Sequence, residues 1–298
     1  MKGLDITVKD LIKIYTLGKV EVQALRGLSM EVKAGEMVAI IGPSGSGKTT
    51  LLNIIGGLDR ATGGFVKVGN IPVTALSTGE LVSYRRKTVG HVFQTLNLIP
   101  TLTAAENVEL PMLALGVPRS KRKKRVAELL EVVGLSDRAH HKPDELSGGE
   151  QQRVAIAAAL ANDAPVLLAD EPTGELDTAN AKIVVNYLVK INQELGKTIV
   201  MVTHDPSVAR AAHRILRIED GVIKAVLTPS EAIAEEKAVS YIDQLRARIA
   251  EIKEQMQRLD GKFKAGEISG DEYVEKRQSL KQTMKSLEEE LHRMGIVT

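Results

Sequence analysis

The stretch that decides the fold reads Met37-Val38-Ala39-Ile40-Ile41-Gly42-Pro43-Ser44-Gly45-Ser46-Gly47-Lys48-Thr49-Thr50. The β-branched, apolar run Met37–Ile41 is typical of a buried strand, and Lys48–Gly56 predicts a helix. The residues between them fit G-x-x-x-x-G-K-[ST], whose glycines let backbone N–H groups point inward at phosphate oxygens. The helix adds the positive end of its dipole. The stretch therefore predicts a phosphate-binding loop, and its strand–helix context disfavours the alternative of a glycine-rich surface turn.

A second buried strand, Val166–Ala169, runs into two acidic residues, Asp170 and Glu171. Open α/β sheets bind ligands at the carboxyl ends of their strands, so both carboxylates are predicted at that edge. Asp170 is suited to hold Mg²⁺ through water, and Glu171 to orient a water that attacks a γ-phosphate. In the loop, Lys48 is predicted to reach the β- and γ-phosphates and Thr49 to ligate Mg²⁺. Acids at strand ends are usually only solvated, and the pairing with the phosphate loop is what favours a site.

The flanking sequence alternates between strands and helices. Further strands are predicted at Ile6–Val8, Gly27–Val32, Phe65–Val68, Val89–Phe93 and Thr198–Val202. Further helices are predicted at Ala104–Leu115, Ser120–Val133, Glu150–Ala161 and Ala179–Leu195. This alternation predicts an α/β fold with a mostly parallel sheet that is covered on both faces.

A third segment is more specific than the phosphate loop. It reads Leu146-Ser147-Gly148-Gly149-Glu150 and continues into Gln151-Gln152-Arg153. With it, the sequence resembles the ATP-binding subunits of ABC transporters, from Leu4 to about Ala225. The resemblance implies an ATPase with ATP and Mg²⁺ as cofactors and an ATP-binding domain over residues 1–228. It also implies the phosphate-loop NTPase fold, with a mostly parallel core sheet, an antiparallel β subdomain and a helical subdomain over about residues 95–162.

In that family this segment serves a nucleotide held by another chain. The resemblance implies that Ser147, Gly148 and Gly149 face the ATP of a second copy, so that a homodimer clamps ATP between two chains. A helix N-terminus that faces a γ-phosphate is a sensible anion site. The local alternative is an ordinary helix cap, in which Ser147 and Glu150 form a capping box. That cap explains the serine and the glutamate but not the paired glycines.

Four further positions take their roles from the same resemblance. Tyr15 matches the aromatic residue that stacks on adenine, although a lone tyrosine near a strand is more often a core residue. Gln94 matches the glutamine that touches Mg²⁺ and senses the γ-phosphate, and His204 matches the histidine that contacts that phosphate. Asp177 ends the cross-dimer loop Gly174-Glu175-Leu176-Asp177, where many relatives have asparagine or alanine in place of glutamate. The predicted catalytic residues are thus Glu171, His204, Gln94 and Lys48, and the predicted metal ligands are Thr49, Gln94 and Asp170.

The stretch from Phe93 to Val108, continuing into Glu109-Leu110-Pro111, resembles the lipoprotein-release and macrolide-export branch of the family. The resemblance implies a separate integral membrane permease that docks against Gln94–Pro111. It also implies a cytoplasmic location at the inner face of the cell membrane. Four apolar side chains of this region are candidates either for permease contact or for simple core packing: Leu96, Leu98, Ile99 and Leu102.

Composition narrows the function classes. The 298 residues carry a net charge of +2, so no nucleic acid is expected as a partner. The chain has no cysteine, which excludes disulfides, thiol nucleophiles and cysteine-based metal sites. The first fifteen residues lack the apolar core of a signal peptide. The longest apolar runs, such as Val154–Ala161, are far shorter than the roughly 20 residues of a membrane-spanning helix, so a membrane role is expected to come through a partner.

The stretch Arg119–Arg125 holds six basic residues in seven positions. A solvated helix start is the favoured interpretation of such a run. Contact with anionic lipid headgroups below a membrane is the alternative.

Beyond Pro229 the chain becomes charged and helical. Two apolar series recur at heptad-like steps: Ile242, Leu245, Ile249, Ile252, Met256, Leu259 and Phe263, then Tyr273, Leu280, Met284, Leu287, Leu291 and Met294. With a loop around Ala265–Gly270, they predict a helical hairpin over residues 229–298, whose seams face each other or a partner chain. The stretch Met256–Lys281 resembles a short C-terminal oligomerisation module, with the core of the resemblance in Lys264–Ser269, Asp271–Tyr273 and Lys276. That resemblance implies self-association, regulation of the ATPase or partner binding.

A soluble ABC ATPase without a permease, acting in DNA repair or translation, is the alternative function. Repair relatives insert long coiled coils between the phosphate loop and the Ser147 segment, whereas only about a hundred residues lie between Thr49 and Ser147. Translation relatives carry two ATPase cassettes in one chain, and this sequence has one. A scaffold with an inactive nucleotide site is a third class, which the presence of Lys48, Asp170, Glu171 and His204 argues against.

Overall fold

The structure is a computed structural model that describes residues 2–18 and 20–294, without the side chains of Leu17 and residues 236–240. Residues 295–298 of the predicted tail lie outside the described residues. The chain divides into two compact units, Met1–Pro229 and Ser230–Thr298, which are called the first and the second unit below.

Strands and helices alternate through the described part of the first unit. Its strands are β1 (Ile6–Leu17), β2 (Val20–Val32), β3 (Met37–Ile41), β4 (Gly63–Val68), β5 (Ile71–Pro72), β6 (Val89–Val92), β7 (Val166–Asp170), β8 (Thr198–Val202), β9 (Arg214–Glu219) and β10 (Val222–Leu227). Its helices are α1 (Lys48–Ile55), α2 (Thr78–Lys87), α3 (Ala104–Leu113), α4 (Arg119–Val132), α5 (Gly148–Ala159), α6 (Thr178–Leu195) and α7 (Pro206–Ala209). The second unit holds α8 (Pro229–Lys264) and α9 (Gly270–Arg293).

The core sheet has six strands in the order β10-β9-β3-β8-β7-β6. Every neighbouring pair from β9 to β6 is parallel, and β10 is antiparallel to β9. All five residues of β8 are buried, as are the first four of β3 and of β7, because helices cover both faces of such a sheet. The predicted α/β fold with a mostly parallel core sheet is confirmed.

A second sheet is antiparallel and has the order β2-β1-β4-β5, as the family resemblance implied. Its first two strands are longer than the predicted Ile6–Val8 and Gly27–Val32. Polar residues after Val8 break the apolar pattern there. A register shift between Val8 and Leu11, with Asp10 at a φ of 47°, lets β1 continue past them.

Five elements of the first unit were not predicted: α2, β9 and β10, and the short β5 and α7. The start of α2 is marked in the sequence by a capping box, in which Ser77 and Glu80 bond each other's backbone N–H groups. The strand β9 mixes charged and apolar residues without a period of two. One of these charges stabilises the fold, because the Arg214 guanidinium bonds the Glu36 carboxylate at 2.6 Å. Residues 95–162 contain α3, α4 and α5.

The second unit is a helical hairpin built on the two predicted seams. Leu245 and Ile249 of α8 pack against Leu291 of α9 in a small buried cluster. Ile242, Met284 and Leu287 pack around that cluster, half-buried. The two seams therefore face each other within one chain. At the loop end, Phe263 and Tyr273 stack with ring centroids 4.3 Å apart, and the Tyr273 hydroxyl donates to Asp260 at 2.7 Å.

Candidate active site

The predicted phosphate loop lies between β3 and α1, at the carboxyl edge of the core sheet. Gly47 has a φ of 99°, and a Cβ atom there would lie 2.5 Å from the carbonyl oxygen of Ala24. Only glycine fits such a position, because the backbone conformation and the space both exclude a side chain. The loop can therefore curl tightly into the start of α1 and direct its N–H groups into the concave side.

The inside of this loop is basic and carries an unsatisfied polar atom. The buried Lys48 ammonium donates to the carbonyl oxygens of Gly42 at 2.8 Å and of Pro43 at 2.9 Å. The Ser46 hydroxyl is buried and has no hydrogen-bond partner in the part of the chain that the structure describes. Buried polar groups normally have partners. A cation and an unpaired hydroxyl beside a helix N-terminus fit a bound phosphate chain.

Thr49 and Asp170 meet at the bottom of the site. The Thr49 hydroxyl donates to the Asp170 carboxylate at 3.2 Å, which joins the start of α1 to the end of β7. Partial burial, together with the neighbouring Glu171 carboxylate, raises the pKa of Asp170, although Thr49 and Lys48 act in the opposite direction. A hydroxyl and a partly desolvated carboxylate are the hard oxygen ligands that Mg²⁺ uses together with phosphate oxygens and water. These two residues therefore fit the predicted metal.

Glu171 and His204 form a hydrogen-bonded pair on adjacent strands. Glu171 follows β7, and His204 comes two residues after β8, and these strands pair in parallel. One Glu171 carboxylate oxygen lies 3.0 Å from His204 Nδ1 and accepts the His204 backbone N–H at 3.3 Å. Glu171 adopts a φ of 46°, which is uncommon for a residue with a side chain. The pair can hold a water molecule and accept its proton beside the phosphate loop.

Gln94 lies at the end of a third strand of the same edge. It follows β6 by two residues, and its exposed side-chain nitrogen is 3.7 Å from where a Cβ atom would stand on Gly174. Gly174 in turn approaches Glu171. In the described chain, no hydrogen bond links Gln94 to Thr49 or Asp170 directly. The structure thus places Gln94 beside the Glu171 loop.

Tyr15 is held beside the phosphate-binding helix by contacts that the sequence did not predict. Its hydroxyl donates to the Asp59 carboxylate at 2.7 Å, and the Lys13 ammonium bonds the same carboxylate at 2.7 Å. That ammonium lies 4.6 Å from the Tyr15 ring centroid. Partial burial raises the pKa of Tyr15, and so does the Asp59 carboxylate, whereas a hydrogen bond with Thr50 lowers it. One face of the ring is thus covered by a cation, and the ring stands next to α1.

The Ser147 segment forms the predicted capping box at the start of α5. The Glu150 carboxylate accepts from the Ser147 backbone N–H and hydroxyl, both at 2.8 Å, and Ser147 accepts the Glu150 N–H at 3.3 Å. Ser147 and Gly148 are exposed. Within the described part of the chain, no hydrogen bond or ion pair joins residues 147–149 to residues 42–49. The capping box is therefore present, and the Ser147 segment makes no direct polar contact with the phosphate loop of the same chain in the described residues.

The same segment borders the loop that ends at Asp177. The Asp177 carboxylate caps α6 by accepting the N–H groups of Ala179 at 2.9 Å and Asn180 at 3.0 Å. The side chain of Asn180 donates to Asp177 at 2.6 Å and leaves no space for a Cβ atom on Gly149, which would lie 2.5 Å from its oxygen. Asn180, which the sequence analysis did not single out, therefore joins the Ser147 segment to Asp177.

The core sheet, the phosphate loop and the Glu171–His204 pair together define a phosphate-loop ATPase. Comparison with known proteins gives the family. The family model described as "ABC transporter" matches residues 25–174. The chain belongs to the ABC transporter family of ATP-binding proteins, and the predicted family and ATPase activity are confirmed.

Similar proteins include two kinds of relative. An uncharacterised ABC transporter ATP-binding protein of Thermotoga maritima is 54% identical over 73% of this chain and 92% of its own length. A macrolide export ATP-binding/permease protein of Hyphomonas neptunium is 46% identical over 78% of this chain and 36% of its own length. A solved dimeric ATP-binding cassette, in a post-hydrolysis state with ADP and Pi, is 46% identical at a TM-score of 0.69 and covers 75% of this chain and 98% of its own.

No helix among residues 2–18 and 20–294 has the length and apolar content needed to cross a bilayer.

Proposed function

We propose that this chain is the ATP-hydrolysing subunit of an ABC transporter and that it works as a homodimer with ATP·Mg²⁺ shared between two copies. One observation is the main support for a homodimer. Asn180 requires glycine at position 149. No described residue requires it at 148, where an added Cβ atom would meet Leu176 Cδ2 at 3.4 Å as its one neighbour in the described chain. Gly148 is exposed, so the group that needs its open N-terminal turn comes from outside the chain.

A triphosphate of a second copy is the partner that fits this turn. The turn presents helix N–H groups and the Ser147 hydroxyl to solvent, which is an arrangement that binds anions. The chain's own phosphate loop makes no hydrogen bond to it. The solved relative at 46% identity is a dimer with ADP and Pi, which supports the same assembly here.

The roles within one site follow from the geometry. Bound ATP supplies the γ-phosphoryl group, and Mg²⁺ neutralises charge on the phosphates. Lys48 exchanges its two loop carbonyl contacts for phosphate oxygens, and Thr49 and Asp170 hold the metal. Glu171, aligned by His204, orients the attacking water and takes its proton.

The remaining site residues complete the pocket. The backbone of residues 42–47 cradles the phosphates, with Thr50 behind it, and the free face of the Tyr15 ring stacks on adenine. Gln94 senses the γ-phosphate from the Glu171 loop, and Asp177 aligns the Ser147 segment with the partner's ATP. Loss of the γ-phosphate contacts after hydrolysis then loosens the dimer.

The membrane partner is proposed to dock in a groove of the first unit. The groove is a cavity of about 560 Å³ between α2, α3 and α5, and Leu96, Leu98 and Ile99 line it. Leu102 is half-buried outside that lining and is assigned to packing. Exposed apolar walls beside Gln94 are suited to an apolar helical segment of a permease. Relatives named ATP-binding/permease proteins support this partner and a position on the cytoplasmic face of the membrane.

The hairpin over residues 229–298 is proposed to be a separate domain that self-associates or regulates the ATPase. Its two seams are largely used within the chain, and Phe263 and Val274 remain exposed for a second contact. Deletion of residues 232–298 tests this role. Changed oligomeric state or turnover supports it, and unchanged values identify the hairpin as an appendage that only packs on itself.

The decisive test of the proposed function is a trapped dimer. Glu171→Gln removes the proposed base and keeps a side chain of similar size, so ATP and Mg²⁺ should convert the protein into a stable dimer on a sizing column. The double variant Glu171→Gln with Lys48→Ala should stay monomeric, because it cannot hold the triphosphate. A Glu171→Gln protein that remains monomeric with ATP, even when its permease is present, contradicts the assembly.

A soluble ATPase that acts without a permease is the second candidate function. Purification of the native complex distinguishes the two. An integral membrane protein that co-purifies in wild type, and is lost when Ile99 and Leu98 are replaced by aspartate, supports the transporter. Its absence from gently solubilised membranes favours the soluble ATPase.

A further inference from the structure

We propose that the start of α4 is a lipid-contacting surface that binds anionic phospholipid headgroups of the membrane next to the permease. This basic surface consists of Arg119, Lys121, Lys123 and Lys124. All four side chains are exposed, and none has an acidic partner among residues 2–18 and 20–294. The inference goes beyond the proposed ATPase function and relies on it only for the position of the membrane.

The two other basic residues of the stretch have structural partners. Arg122 donates to the Glu109 carboxylate at 2.7 Å and to the Val117 carbonyl at 2.6 Å. Arg125 lies near the carboxylates of Glu128 at 3.5 Å and Asp163 at 3.8 Å. Packing and ion pairing therefore account for Arg122 and Arg125 but not for the four exposed cations.

The four exposed cations destabilise the start of their own helix. A helix begins with the positive end of its dipole, where acidic residues stabilise it and basic residues do not. Helices α2, α3, α5 and α9 each place a glutamate in the first turn behind a serine or threonine cap. Helix α4 has neither an acid there nor a side-chain cap. Like charges three and four residues apart repel each other as well. If the start of α4 were only solvated, these charges would lower its stability without a compensating contact. An anionic surface outside the chain would offset that loss of stability.

The basic surface adjoins the proposed permease groove. Arg122 ties α4 to Glu109 of α3, and the next two residues of α3, Leu110 and Pro111, line the groove. Leu113, at the end of α3, is 54% exposed. A membrane protein seated in the groove brings this side of the first unit toward the bilayer. Exposed leucine beside lysine and arginine is also the composition of interfacial membrane contacts.

The distribution of the charges favours lipid over an acidic protein segment. At 3.6 residues per turn, the four positions spread over roughly 200° of the helix circumference. An acidic peptide lies along one stripe and would reach only part of this set. Long lysine and arginine side chains can turn toward a planar surface from several sides, and mobile headgroups can gather beneath each of them.

The experiment is flotation of the full-length protein with lipid vesicles. Vesicles of phosphatidylcholine alone are compared with vesicles of equal parts phosphatidylcholine and phosphatidylglycerol. Each cation near an anionic leaflet strengthens binding by about fivefold, so Lys121→Gln with Lys123→Gln and Lys124→Gln should weaken binding to anionic vesicles on the order of 100-fold. The matched control replaces three exposed lysines of the second unit by glutamine: Lys253, Lys262 and Lys281.

The outcomes separate this inference from its rivals. Binding by wild type and control to anionic vesicles only, with loss in the α4 variant and release by high salt, supports it. Equal loss in the control variant overturns it, because net charge then explains the binding. Tighter binding of wild type to soluble polyglutamate than to vesicles of matched charge also overturns it and points to an acidic protein segment. The α4 variant should still hydrolyse ATP, and its Glu171→Gln form should still dimerise, so failure of lipid binding leaves the proposed function intact.

Discussion

The Tyr15 hydroxyl donates a 2.7 Å hydrogen bond to the Asp59 carboxylate, across 44 residues of sequence. The Lys13 ammonium bonds the same carboxylate and lies over the tyrosine ring. A ring fixed by its hydroxyl on one edge and covered by a cation on one face has only its other face left for a ligand. The position of the side chain that is proposed to stack on adenine is therefore set by two residues outside the phosphate loop.

Removal of the Tyr15 hydroxyl should weaken ATP binding with little effect on turnover. Tyr15→Phe keeps the ring and loses its bond to Asp59, so the ring becomes free to turn. We expect KM for ATP to rise roughly three- to tenfold, which is the net contribution of a typical hydrogen bond, with kcat nearly unchanged. Competition by inorganic triphosphate is the control, because it has no base and should bind both proteins equally. An unchanged KM for ATP would show that Asp59 does not position the ring.

A methyl group on Gly148 should inactivate the enzyme without unfolding it. Among the described residues, a Cβ atom on Gly148 would meet Leu176 Cδ2 at 3.4 Å, which is a van der Waals contact, and alanine favours a helix more than glycine does, so the melting temperature of Gly148→Ala should not fall. If the ATP of a second copy approaches this turn, the added methyl group displaces it, and ATPase activity should drop on the order of 100-fold.

Gly79→Ala is the matched control for that prediction. Gly79 is also the first-turn glycine of a helix that starts with a serine–glutamate capping box, and no neighbouring atom of the described residues lies within 4 Å of its Cβ position. Its substitution should leave both stability and activity unchanged. Full activity of Gly148→Ala would remove the main argument for a nucleotide clamped between two copies.

Local patterns in the sequence predicted the parts of the site that lie on short strand–loop–helix segments. The phosphate loop, the acids after β7 and the capping box at Ser147 each depend on neighbours within a few residues, and all are present where they were expected. The contacts of Tyr15 with Asp59, and of Gly149 with Asn180, join distant segments. No spacing rule relates such residues, so only the folded chain reveals them.

The secondary-structure elements also divide into those that local sequence patterns predict and those that depend on contacts with distant segments. The heptad-like steps of α8 and α9 predicted the hairpin, because its core depends on periodicity alone. Strands β9 and β10 were not predicted, since β9 places arginine and glutamate among its apolar residues and Arg214 is needed to bond Glu36 on another segment. Elements whose buried residues recur at a regular spacing were predicted from the sequence. Strand β9 was missed because some of its positions hold charged residues that pair with distant segments.

The stability of the first unit should depend on pH through His91. Burial in the groove wall lowers the pKa of His91 from 6.5 to about 4. Below pH 6.5, His91 of the unfolded chain binds a proton that His91 of the folded chain does not. The contribution of this residue to the free energy of unfolding is therefore fully present above pH 6.5 and decreases as the pH falls toward 4. The full loss from this residue is on the order of 3 kcal/mol, of which about 2 kcal/mol is lost by pH 5.

His91→Phe isolates that contribution. Phenylalanine keeps an aromatic ring against Phe93, which stacks on His91 with centroids 5.3 Å apart, and it does not titrate. Urea unfolding of the first unit, followed by circular dichroism at pH 7.5 and pH 5, should show a smaller loss of stability in the variant than in wild type. Parallel losses in the two proteins would assign the acid sensitivity to other groups.

Leu291 should hold the hairpin together. Its side chain is 1% exposed and packs against Leu245 and Ile249 of the opposite helix. Leu291→Ala removes buried methyl groups and leaves a cavity, which typically costs about 2–5 kcal/mol. Hydrogen exchange at the amides of α8 and α9 should accelerate, while exchange in the core sheet of the first unit stays the same. Val274→Ala is the matched control, since Val274 lies on the same helix and is 59% exposed, and its exchange pattern should equal that of wild type. Slow exchange in Leu291→Ala would mean that contacts with another chain, and not this small cluster, stabilise the hairpin.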